Sequence, residues 1–390
     1  MRSCIKNANV VLSDKILNNA SVLVEDGKII SITTEEVLCD NFIDAKGLFL
    51  MPGFIDLHCH GGNGLDFMDA SVEEMKDLAS FHLNHGTTTL YATTLTDTYV
   101  SIEASLETYK KLVESGDTLS LEGVHLEGPW LSVKQCGAQE PDRICAIDLD
   151  KFNELTKNYP FIKRVSIAPE LDDAKEFCLL AKEKDVVVSA GHTDADFDTI
   201  IDFKKYGMNL LTHFYSGMRG VVRINAYRVA GAIEAGLYDD DIVVEIIADG
   251  KHLPKSLLKL IYKCKGANRI CLITDAMRAC GFSDGQKSML GKLVGGTEVI
   301  VDDGVAKLPT LDSFAGSVAT FDRLIRTMGI DLGFSLVEVA KMASTTPAKV
   351  MGLTDRGEIK EGLRADLVLL DDKLQVKGVM LKGNLVKNNI

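Results

Sequence analysis

Eight short apolar runs separated by amphipathic stretches constrain the fold more than any other feature of this chain. The runs lie at 54–59, 87–94, 121–126, 164–168, 186–190, 209–212, 243–247 and 270–274. Each has strand length and is rich in Val, Ile, Leu or Thr. Between most of them, segments such as 72–83, 99–114, 172–184, 195–206 and 254–263 set polar residues on one helical face and Leu, Ile, Val or Ala on the other. Short parallel strands joined by helices need cover outside and closure inside. The alternation therefore predicts an α/β fold, a TIM-type (β/α)8 barrel.

The chain has 390 residues, enough for a barrel of about 250 residues and a smaller accessory unit. Both ends read differently from the middle. Stretches 5–11, 20–24 and 28–33 near the start, and 367–370, 376–381 and 385–386 near the finish, alternate like strands, with Glu25-Asp26-Gly27 as a turn. Neither piece can bury a core alone. Together they predict a small β-sandwich domain built from both termini, residues 1–51 and 352–390, beside a catalytic barrel of 52–351. Segment 281–308 is Gly-rich and alternating, which predicts a hairpin insertion, and helices are expected to resume at 317–328 and 335–343.

Charge narrows the partners. Forty-three Lys and Arg against 56 Asp and Glu give a net charge of −13, which argues against a nucleic acid or an anionic membrane. No run of about 18 apolar residues is present, and the start lacks the layout of a secretory signal, so a cytoplasmic location is expected. Nine cysteines without CxxC spacing suit reduced thiols better than a disulfide framework.

Chemistry gathers where the predicted strands end, the face on which such barrels carry their active sites. The first run closes in Leu57-His58-Cys59-His60, and strand alternation points His58 and His60 one way and Cys59 the other. The third closes in His125-Leu126-Glu127-Gly128-Pro129, leaving Glu127 at the rim. Ala190-Gly191-His192, Thr212-His213 and Thr274-Asp275 close the fifth, sixth and eighth. Four imidazoles and two carboxylates can hold two divalent ions with positions open to water. A solitary histidine in an apolar run is more often a hydrogen-bonded core residue, and His82, His85 and His125 are read so. Asp275 has a second reading, as a helix cap. His252, just past the seventh run, is read as a substrate contact.

Six motifs stand in order along the chain: Gly-Phe-Ile-Asp-Leu-His-Cys-His-Gly at 53–61, His-Leu-Glu-Gly-Pro-Trp at 125–130, Ala-Gly-His-Thr at 190–193, Thr-His-Phe-Tyr at 212–215, Ile-Ala-Asp-Gly-Lys-His at 247–252 and Thr-Asp-Ala at 274–276. Together they resemble the amidohydrolase superfamily, and within it the N-acetylglucosamine-6-phosphate deacetylases. His-Leu-Glu-Gly-Pro is the most specific to these deacetylases. The likeness extends in order to Gly-Leu-Arg-Ala-Asp-Leu-Val at 362–368. It implies that Glu127, His192 and His213 hold one ion, that His58 and His60 hold another with Glu127 bridging, and that Asp275 is both ligand and general acid/base. One or two ions are implied, two being favoured, with zinc or iron suited to these ligands. The implied reaction is hydrolysis of an acetamide of an amino-sugar phosphate. A divalent ion would polarise the carbonyl and lower the pKa of water, while Asp275 moves the proton. His252 would hold the substrate or the developing oxyanion, and Phe314, Ala315 and Gly316 resemble the segment that covers the sugar.

The resemblance weakens where phosphate should bind. Family members carry Asn-Ala-Met after the sixth strand and then Arg-Glu-Pro-Gly. This chain has Ser216-Gly217-Met218, and the second motif is replaced by 219–228, with Arg219, Arg223 and Arg228. A guanidinium there can still clamp phosphate, and Arg223 and Arg228 are the candidates. In the family such an arginine can come from the neighbouring subunit, so a homodimer is expected. Gln139, Ser216 and Gly217 are expected to contact the substrate, and Gln139 stands where some relatives have His, leaving the galactosamine epimer open. A cyclic-amide amidohydrolase would need a carboxylated lysine ending the fourth strand, where this chain has Ser166-Ile167-Ala168-Pro169-Glu170. A non-catalytic scaffold on the same fold is the remote alternative.

Overall fold

The computed structural model describes residues 2–311 and 313–390. All eight apolar runs are strands: Phe54–Cys59, Thr87–Thr94, Leu121–Glu127, Ile162–Ile167, Val187–Ala190, Leu210–Leu211, Val243–Ile246 and Ile270–Leu272. They pair side by side in chain order, every neighbour parallel. The last returns to the first through Asp275, whose N–H donates to the His58 carbonyl at 2.9 Å, and through a parallel bridge between Cys59 and Ala276. The sheet is thus a nearly closed eight-stranded barrel.

Helices cover its outside. Val72–Asn84 starts at a capping box, in which Ser71 accepts from the Glu74 N–H and Glu74 answers the Ser71 N–H at 2.7 Å. Tyr99–Glu114, Ala174–Glu183, Phe197–Phe203 and Lys255–Lys265 follow the expected stretches, and Leu149–Asn158 and Ala232–Tyr238 add to them. The main core lies between strands and helices. Val165, Ile167, Val244 and Ile246 pack there with Phe152, Phe177, Leu258 and Ile261. Phe152 and Phe177 stack at 4.2 Å with the Trp130 ring edge-on to both.

Both ends of the chain build one further eight-stranded sheet, from Arg2–Val11, Ile16–Glu25, Lys28–Thr33, Asn41–Asp44, Phe49–Pro52, Leu367–Leu370, Val376–Leu381 and Asn384–Asn388. It encloses its own apolar cluster, including Ile5, Val22, Ile29, Leu50, Leu367 and Met380. The sheet rolls until two turns touch. A Cβ on Gly27 would sit 2.9 Å from the Lys382 carbonyl, and one on Gly383 would sit 2.7 Å from the Gly27 Cα. Both residues have positive φ, so glycine is required twice over at this contact.

Two local expectations change. The 281–308 insertion is a three-stranded antiparallel sheet, Lys287–Leu290, Thr297–Asp302 and Val305–Lys307, rather than a single hairpin. The helix expected from Ser317 begins only at Phe321. The Ser317 N–H donates to the Asp275 carbonyl at 2.8 Å and its own carbonyl accepts from Met277 N–H at 3.0 Å, so this backbone braces the Asp275 loop.

Candidate metal centre

Six side chains from five strand ends meet at the barrel mouth. His58 and His60 bring their Nε2 atoms within 3.1 Å of each other. Glu127 Oε1 lies 3.4 Å from His58 Nε2, 3.3 Å from His192 Nε2 and 2.8 Å from His213 Nε2, while its Oε2 lies 3.3 Å from His60 Nε2. Asp275 Oδ1 completes the cluster, 3.4 Å from His58 Nε2 and 3.3 Å from His60 Nε2. Two overlapping groups able to hold a metal ion result: His58, Glu127 and His213, and His58, His60 and Asp275.

Local backbone aims these groups. His58 and His60 share a face by strand alternation, while Cys59 turns away, its Sγ 3.2 Å from His82 Nε2. His192, His213 and Asp275 lie just past their strands with φ of 45°, 27° and 47°. A left-handed residue at each point stops the strand and swings the side chain over the mouth. Such conformations cost about 1–3 kcal/mol each and cluster at functional sites. No helix follows Asp275 directly, so it caps none. Outer nitrogens are tied back: His192 Nδ1 lies 2.8 Å from the Gln135 carbonyl and His213 Nδ1 lies 3.2 Å from that of Ser216. A ring donating Nδ1–H to a carbonyl presents Nε2 as a lone pair for a cation.

Electrostatics fit a divalent ion. Burial alone would favour neutral imidazoles, yet Glu127 and Asp275 raise His58 to about 9 and His60 to about 10. Burial likewise disfavours the two carboxylates, and the histidines outweigh it, holding Glu127 well below and Asp275 below the ordinary carboxylate range. No Lys or Arg lines the cavity among the described residues. Buried anions that borrow positive charge only from imidazoles are a donor set that a cation satisfies.

The cluster floors a cavity of about 290 Å³. Of the expected substrate contacts, Gln139, Ser216, Gly217, His252, Phe314 and Gly316 line it. Gln139 also touches the cluster itself: its Nε2 donates to Glu127 Oε2 at 2.6 Å, and its Oε1 accepts from the Thr96 N–H at 3.1 Å. His252 packs against the Phe314 ring at 4.9 Å, and its Nδ1 lies 2.9 Å from Asp249 Oδ2. Ala315 is fully buried in the cluster of Met277, Val299 and Ala306, so its side chain faces the core. Arg223 and Arg228 pair across an exposed two-stranded hairpin, Val222–Ile224 with Tyr227–Val229, outside the cavity lining.

Residues 49–386 match the amidohydrolase family. The N-acetylglucosamine-6-phosphate deacetylase of Bacillus subtilis is 33% identical over 98% of this chain and 96% of its own length. The chain belongs to the amidohydrolase family. Its amidohydrolase fold superposes with a TM-score of 0.90, at 29% identity and over 99% of this chain and 100% of the other, on a mutant N-acetyl-D-glucosamine-6-phosphate deacetylase of Mycobacterium smegmatis in complex with N-acetyl-D-glucosamine-6-phosphate. The N-acetylgalactosamine-6-phosphate deacetylase of Escherichia coli O157:H7 is 29% identical over 99% of both chains.

Sequence reasoning missed several groups in this amidohydrolase site. Leu95, Ala138, Leu290 and Ser313 line the cavity, Leu290 arriving from the three-stranded insertion. Beneath the cluster, Arg164 and Glu245 form a fully buried ion pair among Ser166, Ser189 and Thr212. A charge within an apolar run was the available signal for both. His125 joins this layer through a 2.8 Å contact from Nε2 to Ser166 Oγ, while His82 and His85 contact the Gly61 carbonyl and Asp322.

Proposed function

We propose that this chain is a metal-dependent deacetylase that hydrolyses N-acetylglucosamine 6-phosphate to glucosamine 6-phosphate and acetate. The convergence of His58, His60, His213, Glu127 and Asp275 at the mouth of an amidohydrolase barrel, with His192 Nε2 3.3 Å from Glu127 Oε1, carries this reading. A solved relative in complex with N-acetyl-D-glucosamine-6-phosphate superposes over 99% of this chain with a TM-score of 0.90, which supports the gluco substrate. Glu127, His192 and His213 would hold one ion, and His58, His60 and Asp275 a second, with Glu127 shared. Zinc and iron both suit these donors. When bound, the ion supplies a Lewis acid that polarises the acetyl carbonyl and lowers the pKa of water toward about 7.

The chain's own groups supply the rest. Asp275 takes a proton from the attacking water and returns it to the departing nitrogen, since an unprotonated amine is a very poor leaving group. One C–O bond forms, one C–N bond breaks, and acetate and amine result. His252, held through Nδ1 by Asp249, offers Nε2 to the acetamide or a sugar hydroxyl. Ser216, Gly217, Phe314 and Gly316 bound the sugar's space.

A second copy completes the phosphate site in this reading. Since no cation lines the cavity among the described residues, Arg223 or Arg228 on the exposed hairpin would reach into the neighbouring subunit of a homodimer. Val222, Ile224 and Tyr227 expose apolar surface on the same hairpin, as a subunit contact requires. Nine free cysteines support a reducing, cytoplasmic setting, and no helix among the described residues is long and apolar enough to cross a membrane.

Acetate release from N-acetylglucosamine 6-phosphate, N-acetylgalactosamine 6-phosphate and unphosphorylated N-acetylglucosamine tests the proposal. The first should be fastest and the last slowest. Metal-loaded protein that releases acetate from none of them would overturn it, and a faster galacto epimer would reassign the substrate.

A further inference from the structure

The ion pair below the metal centre stands where stability gives little reason for it. Arg164 comes from the fourth strand and Glu245 from the seventh, and both side chains are fully buried. Arg164 Nη2 donates to Glu245 Oε2 at 2.8 Å, to Ser189 Oγ at 3.1 Å and to Thr212 Oγ1 at 3.2 Å, and Nη1 donates to the Leu57 carbonyl at 3.0 Å. Replacing such a pair by packed uncharged residues is often neutral or stabilising, because desolvation offsets the attraction.

Its placement is informative. Glu245 Oε2 accepts the His213 backbone N–H at 3.4 Å and lies 4.0 Å from His58 Nδ1. That nitrogen is buried and has no hydrogen-bond partner, as is His60 Nδ1. His192 and His213 rest their outer nitrogens on backbone carbonyls, whereas His58 has a carboxylate behind it, acting over this distance by charge. An anion on the Nδ1 side favours the tautomer with its proton there. It leaves the Nε2 lone pair toward His60 and Asp275 and makes it a stronger donor to a cation.

We propose that Glu245, fixed by Arg164, is a positioning residue for the second ion: it orients and polarises His58 and thereby sets the affinity of the His58, His60 and Asp275 site. The proposal deepens the two-ion reading and rests on it. Arg164 fixes where the carboxylate points, with Ser189, Thr212 and the Leu57 carbonyl taking further Nη hydrogens and Nε left without a partner.

Four proteins test it: wild type, Glu245→Gln, Arg164→Met and the double variant Arg164→Met/Glu245→Gln. Each is equilibrated with buffered free zinc, its bound metal is counted by mass spectrometry, and its thermal unfolding is followed in EDTA. Wild type should take up two ions per chain. Glu245→Gln should keep the first and need about 10–100-fold more free zinc for the second. The double variant leaves no unpaired buried charge, so it should recover the melting temperature lost by the single variants in EDTA without recovering the second ion. A double variant or Glu245→Gln protein that binds the second ion as tightly as wild type would make the pair purely structural and sink the proposal. Wild type that takes up only one ion would remove the two-ion reading and this inference together.

Discussion

His192 is pinned between the Gln135 carbonyl and Gly217, whose φ is +55° and whose added Cβ would meet His192 Nδ1 at 2.7 Å and the Gln135 carbonyl at 3.1 Å. Gly217→Ala should therefore displace the ring and raise the free zinc needed to half-fill the site by about tenfold or more, as other losses of ligand support do. An unchanged zinc requirement would show that the ring tolerates the push. Asp275 makes a different prediction, because three other groups remain for the ion shared by Glu127, His192 and His213. Asp275→Asn should keep that ion and lose about 10²–10⁴-fold in the rate of acetate release. A variant with its metal and most of its turnover would remove the acid/base role.

At the scale of elements, the ends of strands and starts of helices set the site. Asp322, in the helix Phe321–Arg326, lies 3.1 Å from His85 Nδ1 and accepts from Thr320 Oγ1 and from Arg326 Nη1, each at 2.6 Å. Burial pushes its carboxyl up, and these partners outweigh it, holding it below the ordinary range. A depressed folded pKa stabilises the native state above the unfolded value of about 3.9, and that contribution is lost as the pH falls. Asp322→Asn should cost about 1–3 kcal/mol at pH 7, because the buried carboxylate's charge-assisted bonds to the half-buried His85, Thr320 and Arg326 are lost. In urea unfolding, the gap to wild type should narrow below about pH 4, and a constant gap would contradict the assignment. Strand alternation made His58 and His60 legible in the sequence, and a Gly-Pro after Glu127 marked its strand end. Arg164 and Glu245 were not legible, since one charge in an apolar run does not name its partner across a barrel. The Ser317 segment read as helix because its apolar spacing is helical, whereas its hydrogen bonds go to the Asp275 loop. Leu149–Asn158 was missed because most of its ten residues are polar and few apolar positions mark a face.

For the whole molecule, we propose that residues 1–51 with 352–390 and residues 52–351 are the two domains. The rolled terminal sheet has its own apolar cluster, while Met51 and Val368 also join the barrel core, so the two should unfold together. A single calorimetric transition is expected; two well-separated ones would show independent units. The proposed dimer predicts that changing both Arg223 and Arg228 to Ala raises KM for the phosphorylated sugar about tenfold or more and spares the slow reaction of the unphosphorylated one. Equal loss on both sugars would place these arginines outside phosphate recognition. The most direct test of the account is removal and return of metal. Protein stripped by a chelator should release no acetate from N-acetylglucosamine 6-phosphate, and adding back zinc or iron to two ions per chain should restore it. Stripped protein that still turns over would contradict a metal centre built from His58, His60, Glu127, His192, His213 and Asp275.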